Sequence, residues 1–284
     1  MYAPAYMPDT AWYSYGELID DYEDTGYAAY PELDGITEPL LGTENSTYPD
    51  AKVIELRQAY YAAISYIDTQ VGRVLDELDA QGLTDNTVVA FMGDHGWQLG
   101  EHSEWCKNTD FDVATHTPLI IRNPGVTDGG VTTSKLVEFV DIFPTLTQAA
   151  ASTRLSACTD SNNEELCTEG TSLVPLMYRP NRNDWKEAVF WQHPRGSALA
   201  GHVKSCMGYS IRTENYHYTE WVNVILAADG IDYEPDWTDP CDHEELYDIS
   251  VDPEENYNYY ADAAYASIIT DLSAKLQAGY TAYQ

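Results

Sequence analysis

The sequence predicts an α/β fold, part of a sheet sandwich, joined to a smaller C-terminal α+β subdomain. Three observations carry this. Between residues 50 and 151 the order is long helix, apolar strand, long loop, apolar strand, helix, which is the rhythm of an α/β sheet. The two strand segments, 87–92 and 117–123, are continuous apolar runs without polar alternation, as expected of strands covered on both faces. Beyond about residue 180 the texture changes to short aromatic-rich runs and one closing helix. The chain therefore divides into 1–179 and 180–284, with the boundary near "YRPNRND" at 178–184 and no internal repeat.

Residues 1–49 are rich in Pro, Gly, Tyr and Asp, lack periodicity, and read as irregular structure. From Asp50 onward Ile54, Ala63, Ile64, Ile67, Val71, Val74, Leu75 and Leu78 recur at helical spacing. Asp50 is the expected N-cap and Gly82 the stop. "LTDNT" then turns the chain into Thr87–Met92, a strand of the buried, parallel-sheet kind. "TPLIIRN" is the second strand and ends at Pro124-Gly125. "LVEFVDIFPTLTQAAA" is a helix if Pro144 falls in its first turn after Asp141, where the missing N–H has no partner to lose. "AVFWQH", "MGYSIRTEN", "YHYTEWVNVI" and "EELYDIS" read as strands, and a helix closes the chain over about 259–278.

With 284 residues there is ample length for a packed core. Lys+Arg 14 against Asp+Glu 47 gives a net charge of −33, which argues against nucleic acid or an anionic membrane as partner. The plain meaning of that charge is solubility, including in a salty medium. Twenty-three tyrosines exclude a disordered acidic tail. No apolar run approaches eighteen residues, so no membrane-spanning helix is expected, and "MYAPAYMPDTAWYSYG" lacks the regions of a signal peptide. Of the five cysteines, Cys158 and Cys167 flank a polar loop and Cys206 and Cys241 would pair across a later hairpin region, leaving Cys106 over. Two disulfides would mean an oxidising compartment, extracellular or lysosome/vacuole-like, and free thiols are the alternative. The sequon at Asn45 points the same way.

Chemistry concentrates after the first strand, in "MGDHGWQLGEHSEWCK". Ligands of open α/β sheets sit beyond the carboxyl ends of strands. Gly93 and Gly96 allow a sharp turn that aims Asp94 and His95 at one point. A carboxylate beside an imidazole suits a metal ion or an acid/base pair; alone, the tripeptide reads more readily as a helix or loop cap with a satisfied histidine.

The tripeptide has a long context. "NTVVAFMGDHGWQLGEHSEWCKNTDFDVATHTPLIIRNPG" resembles the metal-site segment of type I sulfatases, which have the alkaline-phosphatase-like fold. "YYAAISYIDTQVGRVLDELD" before it, and "DIFPTLTQAA", "EGTSLVPL", "MGYSIRTENYHYTEWV" and "ELYDISVDPEENYN" after it, extend the resemblance over roughly 51–260. The resemblance implies that Asp94 and His95 are two metal ligands with calcium as the ion, although a hard cation prefers oxygen to imidazole. It implies that Lys107 binds the sulfate ester and assists the leaving oxygen, and that Trp97 and His102 stand near the pocket. "WQHPRG" at 191–196 makes His193 and Arg195 candidates for a substrate carboxylate or sulfate, against an ordinary surface loop. His116 is expected to be structural. The implied substrate is a sulfated sugar or polysaccharide.

The pattern is incomplete. The family nucleophile is a cysteine in Cys-x-Pro-x-Arg, and "CKNTD", "CTDSN", "CTEGT", "CMGYS" and "CDHEE" all lack the proline and arginine. The family's early Asp-Asp ligands belong to a strand upstream of anything present. The chain resembles the second half of a sulfatase, with the N-terminal half as the partner it lacks. Missing strands would leave apolar edges on 88–92 and 117–123. Two other readings stand beside this one: a phosphodiester or phosphonate-ester hydrolase on the same fold, and a non-catalytic pseudoenzyme or acidic binding module.

Overall fold

The helix expected from residue 50 forms as α1, Asp50–Ala80, and stops at Gly82, whose φ of +67° is the left-handed conformation that ends helices at glycine. The computed structural model describes residues 50–103, 105–107, 109–158, 167–195, 205–226, 233–241 and 244–279. After α1 come β1 (Val89–Met92), β2 (Gln98–Leu99), β3 (Trp105–Cys106), α2 (Asp112–Thr115), β4 (Leu119–Arg122) and α3 (Ile142–Ala151). Then follow β5 (Ser156–Ala157), β6 (Cys167–Thr168), α4 (Val174–Tyr178) and β7 (Val189–Arg195). The chain continues through β8 (Ser205–Arg212), β9 (Tyr216–Leu226), β10 (Tyr233–Pro240), β11 (Glu245–Asp248) and α5 (Ala266–Ala278). Among the described residues no helix is long and apolar enough to cross a membrane.

These elements pack as two units of interleaved segments. One contains the start of α1 up to Tyr60, His95–Thr117 and Phe190–Gln277; the other contains Tyr61–Asp94 and Pro118–Val189. The linear division at 179/180 is a different partition, because packing groups the segment after β1 with the C-terminal strands.

In the second unit β1 pairs with β4 antiparallel, from Val89 opposite Arg122 to Met92 opposite Leu119. The parallel kind of strand expected from the apolar run is corrected to an antiparallel pair, while the exposed apolar residues agree with the expectation that these strands would be left partly uncovered. Ala90, Phe91 and Met92 are exposed. An apolar run reports a tendency to be covered and carries no information on strand direction; a long return loop suffices for an antiparallel partner. Around α3 the same unit is well packed. Pro144 lies in the first turn, as expected, and is buried. The fully buried Asp141 accepts from Lys186 Nζ at 2.7 and 2.8 Å and from the Thr171 amide at 2.7 Å. Lys186 also donates to Glu138 at 2.6 Å. A side chain on Gly170 would lie 2.0 Å from the Val140 carbonyl, so the backbones approach too closely for any other residue.

In the first unit β10, β9, β8 and β7 form a sheet in that order, and β11 pairs with the N-terminal half of β9. Ile211, Leu246 and Tyr247 are completely buried, with Tyr218, Trp221 and Val224 nearly so. Leu272 and Leu276, four apart on α5, are buried too. The closing helix starts at Ala266, later than expected, behind a 3-10 turn at Ala263–Tyr265 capped by Asp262. β10 was not expected, since "YEPDWTDP" is acidic and holds two prolines. Among the described residues it pairs only with β9 and shifts register between Pro235 and Pro240, the edge position where proline is tolerated. Both disulfides form: Cys158–Cys167 with Cα atoms 4.9 Å apart and Cys206–Cys241 with 5.7 Å.

Candidate active site

The turn after β1 starts with the Gly93 amide donating to the Pro118 carbonyl at 3.2 Å. Asp94, exposed, is the last residue of its unit, and His95 opens the next segment of the other. From there α2 takes hold of the backbone. Gly96 donates to the Ala114 carbonyl at 2.8 Å and Trp97 to the Val113 carbonyl at 3.0 Å. Helix ends leave such carbonyls without partners inside the helix, so they are available to a neighbouring strand. A Cβ on Gly96 would meet Val113 O at 2.1 Å and His116 O at 2.8 Å. The glycine of Asp-His-Gly is therefore required by close packing against α2.

Lys107 returns to this point through a hairpin. β2 and β3 pair antiparallel, Gln98 opposite Cys106 and Leu99 opposite Trp105, across a turn containing Gly100 at φ +106°. Arg57 Nε donates to the Leu99 carbonyl at 2.9 Å and fixes the outer strand. His95 Nδ1 donates to the Gly96 carbonyl at 2.7 Å. That bond sets the tautomer: the proton is on Nδ1, and the lone pair of Nε2 accepts from the Lys107 ammonium. The Trp97 ring is stacked between His95 at 6.2 Å and Tyr60 at 6.1 Å. The structure thus brings His95, Trp97 and Lys107 together.

The other expected residues are placed as follows. His102 is 2% exposed, has φ +58°, and stacks on Phe111 at 3.8 Å with rings 4° from parallel. Burial pushes its imidazole below the ordinary value, against the carboxylates of Glu255, Glu101, Asp252 and Glu254. His193 lies half-buried in β7. Arg195 ends that strand, and its side chain is outside the described residues, as is Asn45. His116, expected to be structural, is exposed and faces Asp112 Oδ2 at 3.2 Å.

A calcium ion takes six to eight oxygens. The donors here are one carboxylate and one imidazole whose lone pair faces an ammonium. Among the described residues no three His, Cys, Asp or Glu side chains group to hold a metal. These residues alone do not fit a calcium site.

Sequence reasoning missed Asp112. Its Oδ1 pairs with Arg212 Nη1 at 2.5 Å while Oδ2 faces His116. Burial pushes this carboxyl up, but the His116 hydrogen bond and the Arg212 charge outweigh it and hold it below the usual range. The signal was present as the Asp112–His116 pair at i,i+4.

Two family models match the chain: Sulfatase over residues 14–152, and N-sulphoglucosamine sulphohydrolase, C-terminal, over 100–281. Iduronate 2-sulfatase of Mus musculus is 35% identical over 260 residues, covering 77% of this chain and 46% of its own length. The chain thus spans less than half of that curated relative. A solved structure described as in complex with its substrate D-glucosamine-2-N,6-O-disulfate aligns with TM-score 0.62 and 27% identity, over 80% of this chain and 41% of that one. The phosphonate monoester hydrolase of Agrobacterium radiobacter aligns with TM-score 0.63 and 27% identity, over 84% and 44%.

Proposed function

The chain belongs to the sulfatase family, with its alkaline-phosphatase-like fold, and from that premise we propose that it carries part of a sulfuric ester hydrolase site of the iduronate-2-sulfatase type. The observation that carries this reading is the His95–Lys107 contact, built by the β2–β3 hairpin and by Gly96 packed on α2. Lys107 is the proposed catalytic residue. Its ammonium would face the bridging oxygen of a sulfate ester and stabilise the charge that grows as the S–O bond breaks. His95, with its proton fixed on Nδ1, would orient that ammonium. Trp97, held between two rings, together with His102, His193 and Arg195, is proposed to contact or shape the pocket for a sulfated sugar or polysaccharide, the substrate class named for one structural neighbour.

None of the five cysteines lies in Cys-x-Pro-x-Arg, so a nucleophile would come from outside this chain. The proposed partner is the N-terminal half of such an enzyme. Its support is the share of the mouse relative that is matched, and the exposed apolar residues of β1 and β4. Calcium belongs to the proposal by family likeness: Asp94 and His95 would be two of its ligands, His95 through the Nε2 lone pair it would then turn from Lys107, and the others would come from outside the described residues. The two disulfides support an extracellular or lysosome-like location. The phosphonate monoester hydrolase neighbour gives a second reading of the same site.

The experiment is complementation. The chain alone should not turn over an aryl sulfate. Mixed or co-expressed with a sulfatase N-terminal half bearing Cys-x-Pro-x-Arg, it should do so, and Lys107→Ala should then lower kcat by about 10²–10³-fold. Turnover untouched by Lys107→Ala would refute the assignment. A specificity constant higher for a phenyl phosphonate than for the sulfate would favour the second reading.

A further inference from the structure

The turn between β11 and α5 contains Glu255, a residue with no place in the site described above. It is 1% exposed, and its φ of +56° is a left-handed conformation that few non-glycine residues adopt. Both carboxylate oxygens are engaged. Oε2 accepts from the Asp112 amide at 2.7 Å. Oε1 faces His217 Nδ1 at 2.6 Å, and the far nitrogen of that ring contacts Thr219 Oγ1 at 3.1 Å. Thr219 in turn bonds Ser210 at 2.7 Å. A buried carboxylate needs such full engagement to be tolerated at all.

The amide that Glu255 receives begins α2. The carbonyls near the other end of α2 hold Gly96 and Trp97, directly after His95. A side chain carried by β11–α5 is therefore joined to His95 by an unbroken path: Glu255, Asp112 N–H, α2, Gly96. The Asp112 side chain adds a second tie to the sheet through Arg212. We infer that Glu255 is a positioning residue for the His95–Lys107 pair, fixing α2 to the C-terminal sheet so that the turn after Asp94 keeps its geometry. Glu255 does not touch the reacting groups. The role matters for sulfate-ester chemistry only through the function proposed above, on which it rests, but the positioning itself is a property of the folded chain.

The test is amide hydrogen exchange on the full chain, resolved at 95–117 and at 205–226. Glu255→Ala should raise exchange at Gly96 and Trp97 by about tenfold or more, the scale of a lost hydrogen bond to a charged group, with little change in β8–β9. Glu255→Gln, which can still accept from the Asp112 amide, should restore most of the protection. Should Glu255→Ala fail to fold, Glu255→Asp carries the test: it keeps the charge, withdraws it by one methylene, and should loosen 96–97 to an intermediate degree. Equal loosening of 95–117 and 205–226, or no benefit from glutamine over alanine, would overturn the inference and make Glu255 merely structural. Exchange is read without substrate. Loss of protection at 96–97 alongside a complemented enzyme indifferent to Lys107→Ala would refute the function and leave the positioning standing.

Discussion

The sheet β7–β11 and the pair β1–β4 are both rich in apolar residues, yet they treat them in opposite ways. In the sheet, β9 has neighbours on both sides, and Ile211, Leu246 and Tyr247 are wholly withdrawn from water. One chain of its buried polar groups is mated end to end, Ser210, Thr219, His217 and Glu255. In the pair, each strand has only the other as partner among the described residues, and Phe91, Met92 and Ile120 are 41%, 44% and 61% exposed. Two strands alone are marginally stable in water. The contrast separates two meanings of a hydrophobic strand. One is a core already closed; the other is an apolar face left open among the described residues.

Four measurements would break or sharpen this contrast. The largest effect is expected inside the unit that holds β1–β4, at the buried ionic cluster of Lys186. Lys186→Met leaves the carboxylates of Glu138 and Asp141 without the buried ammonium between them and should cost about 3–5 kcal/mol in urea unfolding. A negligible loss would mean that the α3 region is no better closed than the exposed strands. Next is Leu246→Ala in the covered sheet, expected to cost about 2–5 kcal/mol by the same assay; a value near zero would deny that this sheet is a core.

The third concerns pH. Burial lowers the His217 imidazole, but Glu255, with Asp110 and Glu245 behind it, outweighs burial and leaves it above its ordinary value. A histidine raised on folding stabilises fully below its unfolded value of about 6.5 and loses that contribution as pH rises through the higher folded value. Melting of the chain should therefore shift downward as pH climbs above neutrality, and His217→Gln should flatten the curve. The smallest effect is Ile120→Thr, on an exposed strand face, which should stay within about 0.5 kcal/mol. A large loss there would show that the β1–β4 face is already covered in solution.

Helix α1, the capped stop at Gly82, Pro144 in a first turn and both disulfides were legible in the sequence, because each depends on neighbours close along the chain or on cysteine chemistry. Strand direction was not legible: Val88–Met92 and Thr117–Asn123 are apolar enough to be buried, and that composition is the same for parallel and antiparallel partners. β10 was hidden by its prolines, which only an edge strand admits. At the proposed site, Asp94 and His95 were singled out at a strand end and Lys107 by family likeness, while the tautomer of His95 and the grip of α2 on Gly96 depend on contacts that no local window contains. Glu255 lies in a quoted block, but its importance depends on Asp112 and His217, 143 and 38 residues away.

The bond between Cys206 and Cys241 joins the strand on one side of β9 to the residue that follows the strand on its other side. A protease that cuts the backbone once between these cysteines would therefore release nothing. The nicked chain should run as one species on a denaturing gel without reductant and separate into two when thiol is added. Until then, three neighbouring strands remain a single covalent object after any one cut in the peptide bonds that connect them.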